Sequence, residues 1–429
     1  MLKEQAEFLG FFVVVSKRII LCGRYWRPGC ADLVDMMQIM FKLIMLIWML
    51  QSAAAYASTS GADQLEASLV RSGYNRVELE RALASVPTGQ RADLVWLIEH
   101  MPGADLVSMN ANALIENSIV AHQAFDSAPW RDRVPLEIYR DAVLPYACIN
   151  EKRDDWRRDF NRRFSPLVTE ARSTSEAAAI LNNAIFKELE VVYSTKRPRA
   201  DQSPLESIEA GMASCTGLSI LLIDACRSVG VPARFVGTPL WSDGSGNHSW
   251  VEIYDSGQWH YTGAAEPVGD ELDKAWFASR ASDAQEGHPS HAILAVTWRK
   301  VPLWFPLPWS PEDQSVRAVD VSGRYASADS PIEDGMVRVR FRTIDRKGAR
   351  LSVPLHVHVD GEDGVRKGTT RDDRFDTNDH LEMILPENSV VKVDAIWPSG
   401  MQTADHLVQQ DQQLITLREP PMQIRPSDP

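Results

Sequence analysis

The segment from residue 214 to residue 232 constrains the fold more than any other part of this 429-residue chain. Ser214 is a typical helix-capping residue, and Gly230 and Pro232 are typical of a helix end. The helix between them begins near Cys215 and is apolar on nearly every side, so it is stable only when it is buried all round. Its apolar positions are Leu218, Ile220, Leu221, Leu222, Ile223, Ala225 and Val229.

Strand patterns follow this helix. Residues 233–239 read as a strand, and residues 241–247 form a polar turn. From residue 248 to 254 apolar and polar residues alternate, which places His248 and Trp250 on one strand face. The turn at residues 255–257 then reverses the chain, so that residues 258–262 form a strand antiparallel to residues 248–254. The sequence therefore predicts a buried helix followed by an antiparallel sheet.

Cys215 and His248 are the candidate nucleophile and base. A thiol in the first turn of a helix lies at the positive end of the helix dipole, which favours the nucleophilic thiolate. A neighbouring imidazole takes the thiol proton and later delivers it to the leaving amine. Cys226 lies deep in the same helix and is expected to be inert. With Cys148 these are the three cysteines beyond the N-terminal leader, so at least one thiol is unpaired.

The order of these elements resembles the core of the transglutaminase-like superfamily, which has a papain-like α+β fold. The matching features are Cys215 at the helix start, the GVPAR segment at 230–234, the HSWVE segment at 248–252, and Trp259 on the next strand. The resemblance covers about residues 173–267, and the wider chain is similar to secreted bacterial proteins with such a domain. It implies a thioacyl intermediate on Cys215, followed by hydrolysis or by acyl transfer to an amine.

The third catalytic residue departs from the family pattern. The family usually has an Asp about four residues after the strand Trp, and Gly263 stands at that position here. The nearest acid is Glu266, and we expect its carboxylate to orient His248 with a small change in spacing. A dyad, or orientation by a carbonyl or an Asn, is the alternative. The departure also leaves open a degenerate member that binds without catalysis.

The oxyanion hole is expected to use the backbone N–H of Cys215 and one side chain. Candidates are Gln202, Trp241 and Asn247, although Trp241 can equally be packing and Asn247 a turn former. Trp250, on the strand that carries His248, is a further candidate for substrate binding.

Patterns outside this region define the other modules. Helical periodicity dominates from residue 63 to about 171, and short alternating strands separated by turns dominate from about 320 to 417. The predicted class is α+β, with an antiparallel sheet in the core. The segments are a leader at 1–57, an α-helical domain at 58–172, a transglutaminase-like core at 173–300, a Pro- and aromatic-rich linker at 301–319, a β-sandwich at 320–417 and a disordered tail at 418–429.

The leader predicts export. An apolar run at residues 40–50 is followed by small residues that favour cleavage before Ser58, so the mature protein is expected in the periplasm or outside the cell, without an integral span. An uncleaved anchor is the alternative, although the run is short for a span of about 20 residues. About 35 residues precede this signal. A start at Met36, Met37 or Met40 would explain them, as would an unusually long leader.

Charge and motifs also restrict the partners. The formal net charge of −13 argues against nucleic-acid binding. No acidic cluster resembles a calcium site, Pro289 disfavours a helix that joins His288 and His291, and His356 and His358 read as exposed strand residues. We expect no metal and no cofactor.

The expected partners are a protein or peptide substrate and, through the β module, the cell envelope. The alternatives are an inactive binding or scaffold protein and, more weakly, a disulfide-exchange protein. The sequence lacks the C-x-x-C motif that is typical of disulfide-exchange proteins.

Overall fold

The computed structural model describes residues 63–328, 332–409 and 413–421. The predicted leader and residues 422–429 of the predicted tail lie outside these residues. Helices come first, a mixed helix and sheet region follows, and β-strands come last. This order confirms the predicted α+β class.

The first region is helical, and its first helical residues in the described chain are 63–71. Asn110 ends the loop before its longest helix, where its side chain accepts a hydrogen bond from the N–H of Ala113 at 2.9 Å. Within the described residues, none of the helices combines the length and apolarity that crossing a bilayer requires. The region comprises α1 (Arg76–Ser85), α2 (Arg91–His100), α3 (Gly103–Leu106), α4 (Ala111–Ser127), α5 (Leu136–Ala142) and α6 (Arg157–Phe164).

The second region contains a five-stranded antiparallel sheet with strand order β5-β4-β3-β6-β7. The short strands β1 and β2 pair in parallel in front of the central helix. The last strand, β7, begins inside the segment predicted as a linker. The elements are α7 (Thr174–Glu188), β1 (Val192–Tyr193), α8 (Pro204–Ala210), β2 (Met212–Ala213), α9 (Cys215–Ser228), β3 (Ala233–Thr238), β4 (His248–Asp255), β5 (Gln258–Thr262), α10 (Ala278–Ser282), β6 (Leu294–Val296), β7 (Ala318–Asp320) and α11 (Ser322–Tyr325).

Helix α9 is the centre of this region. Every residue of α9 after Cys215 is buried, which confirms the prediction of a helix enclosed on all sides. One of its faces packs on the sheet residues Phe235, Val251 and Ile253. Its opposite faces meet α6 and α7. Only the first residue, Cys215, is partly exposed.

The helical region is bound to the C-terminal end of α9. Gly230 has a φ of +78°, and its carbonyl accepts a hydrogen bond from Trp130 Nε1 at 2.8 Å. The buried guanidinium of Arg227 donates to the carbonyls of Ala147 at 2.7 Å and Ala233 at 3.1 Å. Because these bonds satisfy backbone oxygens of both regions, the two regions hold α9 in one position.

The C-terminal module is built from two sheets that enclose an apolar core. One sheet is antiparallel with the order β10-β9-β12-β13. The other has the order β11-β8-β14, in which β14 runs parallel to β8. The strands are β8 (Met336–Ile344), β9 (Pro354–Val359), β10 (Val365–Thr369), β11 (Leu381–Pro386), β12 (Val390–Trp397), β13 (Gly400–Leu407) and β14 (Gln413–Arg418).

Ionic contacts dock this module on the core. Asp243, in the turn between β3 and β4, lies 2.9 Å from Arg340 of β8 and 3.0 Å from Arg280 of α10. Ser279 of α10 donates to Glu382 of β11 at 3.1 Å. The module is therefore fixed to the turn that leads into β4.

We predict that Gly230→Ala destabilises the protein by about 3 kcal/mol or more, because it adds strain at a positive φ and a backbone clash. A Cβ at residue 230 would lie 2.9 Å from the Cα of Phe125. The matched control is Gly257→Ala, which has a φ of +92° with no atom within 4 Å and should cost about 1 kcal/mol. Urea unfolding measures both, and equal costs would contradict the packing argument.

Candidate active site

Cys215 is the accessible thiol of the described chain. It opens α9, whose cap Ser214 accepts a hydrogen bond from the N–H of Gly217 at 3.2 Å and donates to the carbonyl of Ala200 at 2.6 Å. The thiols of Cys148, Cys215 and Cys226 are all free. Burial raises the pKa of Cys148 and of Cys226, which keeps both as neutral thiols. Cys215 is therefore the candidate nucleophile on grounds of access.

His248 begins β4 and is enclosed by aromatic rings. Its side chain is 1% exposed. The nearest ring centroids are those of Trp276 at 4.8 Å and Phe277 at 5.0 Å, with Trp241 stacked at 6.1 Å. The imidazole is thus held in one orientation in a largely apolar pocket.

The structure brings Cys215 and His248 together, with Asp376 as a third member. The thiol sulfur, an imidazole nitrogen and a carboxylate oxygen of these residues all lie within 4.8 Å of one another. His248 Nδ1 is 3.6 Å from Asp376 Oδ2. That distance is slightly longer than a hydrogen bond, as is common at catalytic groups before substrate arrives.

The charges in this group depend on one another. Burial opposes protonation of His248, but Asp376 and Cys215 together raise the pKa of the imidazole well above its usual value. Burial likewise opposes ionisation of Asp376, but His248 holds the pKa of that carboxyl below its usual value. Each charge therefore stabilises the other.

Sequence reasoning missed Asp376. It lies in the loop between β10 and β11, in the module that was predicted as a separate β-sandwich. The surrounding segment reads as an ordinary acidic turn between strands. No local pattern marks it as part of the site, because its role depends on how two modules dock.

Glu266 lies in a tight turn beside the same imidazole. Asn182 clamps this turn by donating to the carbonyl of Gly263 at 2.8 Å and accepting from the N–H of Ala265 at 2.9 Å. A Cβ at residue 263 would lie 2.5 Å from Glu266 Oε2. The carboxylate therefore fills the space beside Gly263, the position where the family pattern has an Asp.

The partner that Glu266 contacts is Trp276, whose Nε1 donates to Glu266 Oε2 at 2.8 Å. Neither ring nitrogen of His248 has a hydrogen-bond partner within the described chain. Burial raises the pKa of Glu266 to about 7, with His248 lowering it and Asp376 raising it further. Its predicted role as the orienting carboxylate stays a prediction.

The oxyanion candidates differ in whether their donors are free. Trp241 is 2% exposed, and its Nε1 has no partner in the described part of the chain. Gln202 is buried, and its amide donates to the carbonyls of Met212 at 3.1 Å and Glu206 at 3.3 Å. Of these two buried donors, Trp241 Nε1 is therefore the one that is free.

The other two candidates have structural contacts. Trp250 is fully buried, and its Nε1 donates to the hydroxyl of Tyr325 at 2.8 Å. Asn247 is partly exposed, and its carbonyl accepts a hydrogen bond from the Asn378 side chain at 3.1 Å. The indole of Trp250 thus packs behind the site, because α10 and α11 cover that face of the sheet.

The remaining motif residues support the sheet. Arg234 of β3 and Glu252 of β4 form a buried ion pair at 2.8 Å. The Arg234 guanidinium also lies 3.7 Å from the centre of the Trp259 ring. These contacts join three adjacent strands of the sheet.

A cavity of about 600 Å³ adjoins the site. Trp276, Tyr193 and Phe375 form part of its wall. The charged groups in the wall are the carboxylates Glu266, Asp376 and Asp379 and the cations Lys187, Arg371 and Arg374. The cavity can therefore take an acyl group with an apolar body and a polar end.

Within the residues that the structure describes, two groups of side chains have atoms of the types that bind metals. Cys215, His248 and Asp376 form one, and the fully buried Cys148, Glu151 and Asp224 form the other. In the second group the Arg227 guanidinium lies 3.9 Å from the Cys148 sulfur and supplies a positive charge. The absence of a metal stays a prediction.

Comparison with known families finds a match for the central region of the chain. Residues 162–263 match the model of the transglutaminase-like superfamily. The transglutaminase-like domain thus contains Cys215 and His248, whereas Glu266 and Asp376 lie beyond the matched residues. No curated protein matches the chain.

Two solved structures are similar to parts of the chain. A provisionally assigned cysteine protease from Cytophaga hutchinsonii has 18% identity over 26% of this chain and 38% of its own, with a TM-score of 0.23. A provisionally assigned protease from Parabacteroides distasonis ATCC 8503 has 9% identity over 68% of this chain and 53% of its own, with a TM-score of 0.25. This chain therefore spans less than two thirds of either protein.

We predict that the Glu266 carboxyl makes stability pH-dependent. Its pKa is raised to about 7 from 4.5, so the folded state binds this proton more tightly than the unfolded state does. Stability is then lost as pH rises from the unfolded to the folded pKa. Relative to Glu266→Gln, the wild type should lose about 1 to 3 kcal/mol between about pH 5 and pH 8.

Urea unfolding at several pH values measures this difference. Glu209→Gln, at an exposed position of α8, is the control and should follow the wild type. Parallel pH curves for the wild type and Glu266→Gln would show that Glu266 ionises freely.

Proposed function

We propose that this protein is a thiol enzyme that acts on peptide or amide bonds, with Cys215 as nucleophile and His248 as proton carrier. The observation that carries the proposal is the position of the Cys215 sulfur, at the first turn of a buried helix and within 4.8 Å of a buried imidazole. An accessible thiol in such a setting is an activated nucleophile.

The reaction begins with the proton of Cys215 on His248. The thiolate attacks the substrate carbonyl carbon, and the carbonyl oxygen becomes an oxyanion. The N–H of Cys215 and the free Nε1 of Trp241 are the proposed donors to that oxygen. His248 then gives its proton to the leaving amine, which departs and leaves a thioester on Cys215.

The second half returns the enzyme to its first state. Water or a second amine attacks the thioester carbonyl, and His248 takes the proton of the attacking group. The acyl product leaves as a carboxylic acid or as a new amide. Hydrolysis and transfer share every residue of this sequence, so the amount of water that reaches the thioester decides between them.

Glu266 and the leader complete the proposal. We propose that Glu266 orients the imidazole from the turn that follows β5, since its carboxylate fills the space beside Gly263. The apolar run at residues 40–50 supports action outside the cytoplasm. The proposed substrate is a protein or peptide, and the β module is the part proposed to contact the cell envelope.

We predict that iodoacetamide labels Cys215 rapidly at about pH 6, where an ordinary thiol is almost fully protonated. His248→Ala should slow this labelling about tenfold or more, because the imidazolium that stabilises the thiolate is lost. Mass spectrometry of the labelled peptide measures the rate.

Two controls identify the reacting atom. Cys215→Ser should abolish rapid labelling of the described part of the chain, since Cys148 and Cys226 are buried. The buffer should contain EDTA, so that no bound ion blocks the thiol. Slow labelling of the wild type, unchanged in His248→Ala, would contradict the proposed function and favour a binding protein.

We predict that Trp241→Phe lowers turnover about 100-fold and leaves iodoacetamide labelling unchanged, because alkylation forms no oxyanion. Labelled casein tests hydrolysis, and incorporation of a fluorescent primary amine into casein tests transfer. Gln202→Met, which removes the amide without adding a buried charge, is the comparison, and urea unfolding checks that this variant is folded. A larger loss of turnover in folded Gln202→Met than in Trp241→Phe would assign the oxyanion donor to Gln202.

A further inference from the structure

We infer that the C-terminal β module supplies a positioning residue, Asp376, to the Cys215–His248 pair, so that the active site is assembled from two modules. This inference rests on the proposed function and adds a residue to it that the transglutaminase-like match does not contain.

The loop that carries Asp376 is built around one guanidinium. Arg350, whose side chain is 8% exposed, donates to the carbonyls of Asp372 at 2.6 Å, Asp376 at 2.9 Å and Asp379 at 3.2 Å. The Asp376 side chain in turn accepts a hydrogen bond from the N–H of Asn378 at 2.9 Å. A loop with its carbonyls gathered on one cation is preorganised, so the position of the carboxylate is fixed by the β module itself.

The loop docks on the two segments that carry the catalytic pair. The N–H of Thr377 donates to the hydroxyl of Tyr193 at 3.0 Å, and β1, which contains Tyr193, pairs with β2 directly before Cys215. The Asn378 side chain donates to the carbonyl of Asn247, the residue before His248. These bonds place Asp376 between both catalytic elements.

The position of the Asp376 carboxylate differs from that of an acid that orients His248 by binding the ring nitrogen opposite the thiol. Partners on opposite nitrogens of an imidazole are separated by about 6 Å or more, because each keeps its own contact distance to the ring. Asp376 lies within 4.8 Å of the Cys215 sulfur as well as of the imidazole. It therefore lies on the same side of His248 as the thiol, where it acts on the charge of the pair.

Charge compensation gives Asp376 its role. The carboxylate is 2% exposed, and a buried carboxylate is stable only beside a positive partner. An imidazolium at His248 satisfies it. Asp376 thus favours the protonated imidazole, which is the partner that a thiolate at Cys215 would need. It touches no reacting atom of the substrate, so it is a positioning residue.

Other charged groups near His248 and Asp376 also affect how labelling depends on pH. Glu266 interacts with the imidazole from the turn after β5, and Asp379 belongs to the same loop as Asp376. The cations near Asp376 are Arg350 and Arg280. The groups that act on the imidazole are Cys215 from α9, Asp376 from the β module and Glu266 from the core turn. Asp379, Arg280 and Arg350 act on Asp376.

The test is the pH dependence of iodoacetamide labelling in Asp376→Asn, which keeps the size of the side chain and removes its charge. The acid limb of the rate profile should move to higher pH by about one unit or more, and the rate at about pH 6 should fall about tenfold or more. The control is Asp372→Asn in the same loop, whose carboxylate pairs with Arg374 at 2.8 Å and which should follow the wild type.

The outcomes separate the two proposals. Slow labelling of the wild type removes the proposed function itself. Rapid labelling of the wild type with an identical profile in Asp376→Asn overturns only the role of Asp376. If Asp376→Asn does not fold, an NMR titration of His248 in the wild type decides. The ring should stay protonated through about pH 7, and a neutral ring at about pH 6 overturns the inference.

Discussion

The site depends on a buried imidazole and a buried carboxylate that each need the other. His248 is 1% exposed and Asp376 is 2% exposed, so neither charge has water to stabilise it. The β module brings the carboxylate, and the core brings the imidazole at the start of β4. Docking of the module through Asp243 is therefore part of building the site, since Asp243 lies in the turn that leads to His248.

The central helix makes this arrangement possible. Helix α9 is buried along its whole length after Cys215, and its far end is held by Arg227 and Gly230. A helix fixed at one end presents its first residue with little freedom at the other. The helical region therefore contributes to the site by fixing the helix that carries the thiol.

Local signals in the sequence predicted much of this fold. The cap at Ser214, the apolar pattern of α9 and the alternation of β4 each depend on neighbouring residues, so the Cys215–His248 pair was predicted from them. Glu266 was proposed from spacing, and the room beside Gly263 explains how a longer side chain fits there. Trp250 was placed on the right strand face, but α10 and α11 bury that face, which no local pattern indicated. Asp376 depends on docking between modules and left no local signal.

The central claim is that Cys215 and His248 form an ion pair in the resting protein. The most direct measurement is the thiolate absorbance in the ultraviolet, taken as the difference between the wild type and Cys215→Ser across a pH range. The account predicts a thiolate signal that persists at about pH 6 and disappears in His248→Ala. A signal that rises only near about pH 8.5, as for a free thiol, and is unaffected by His248→Ala would contradict it.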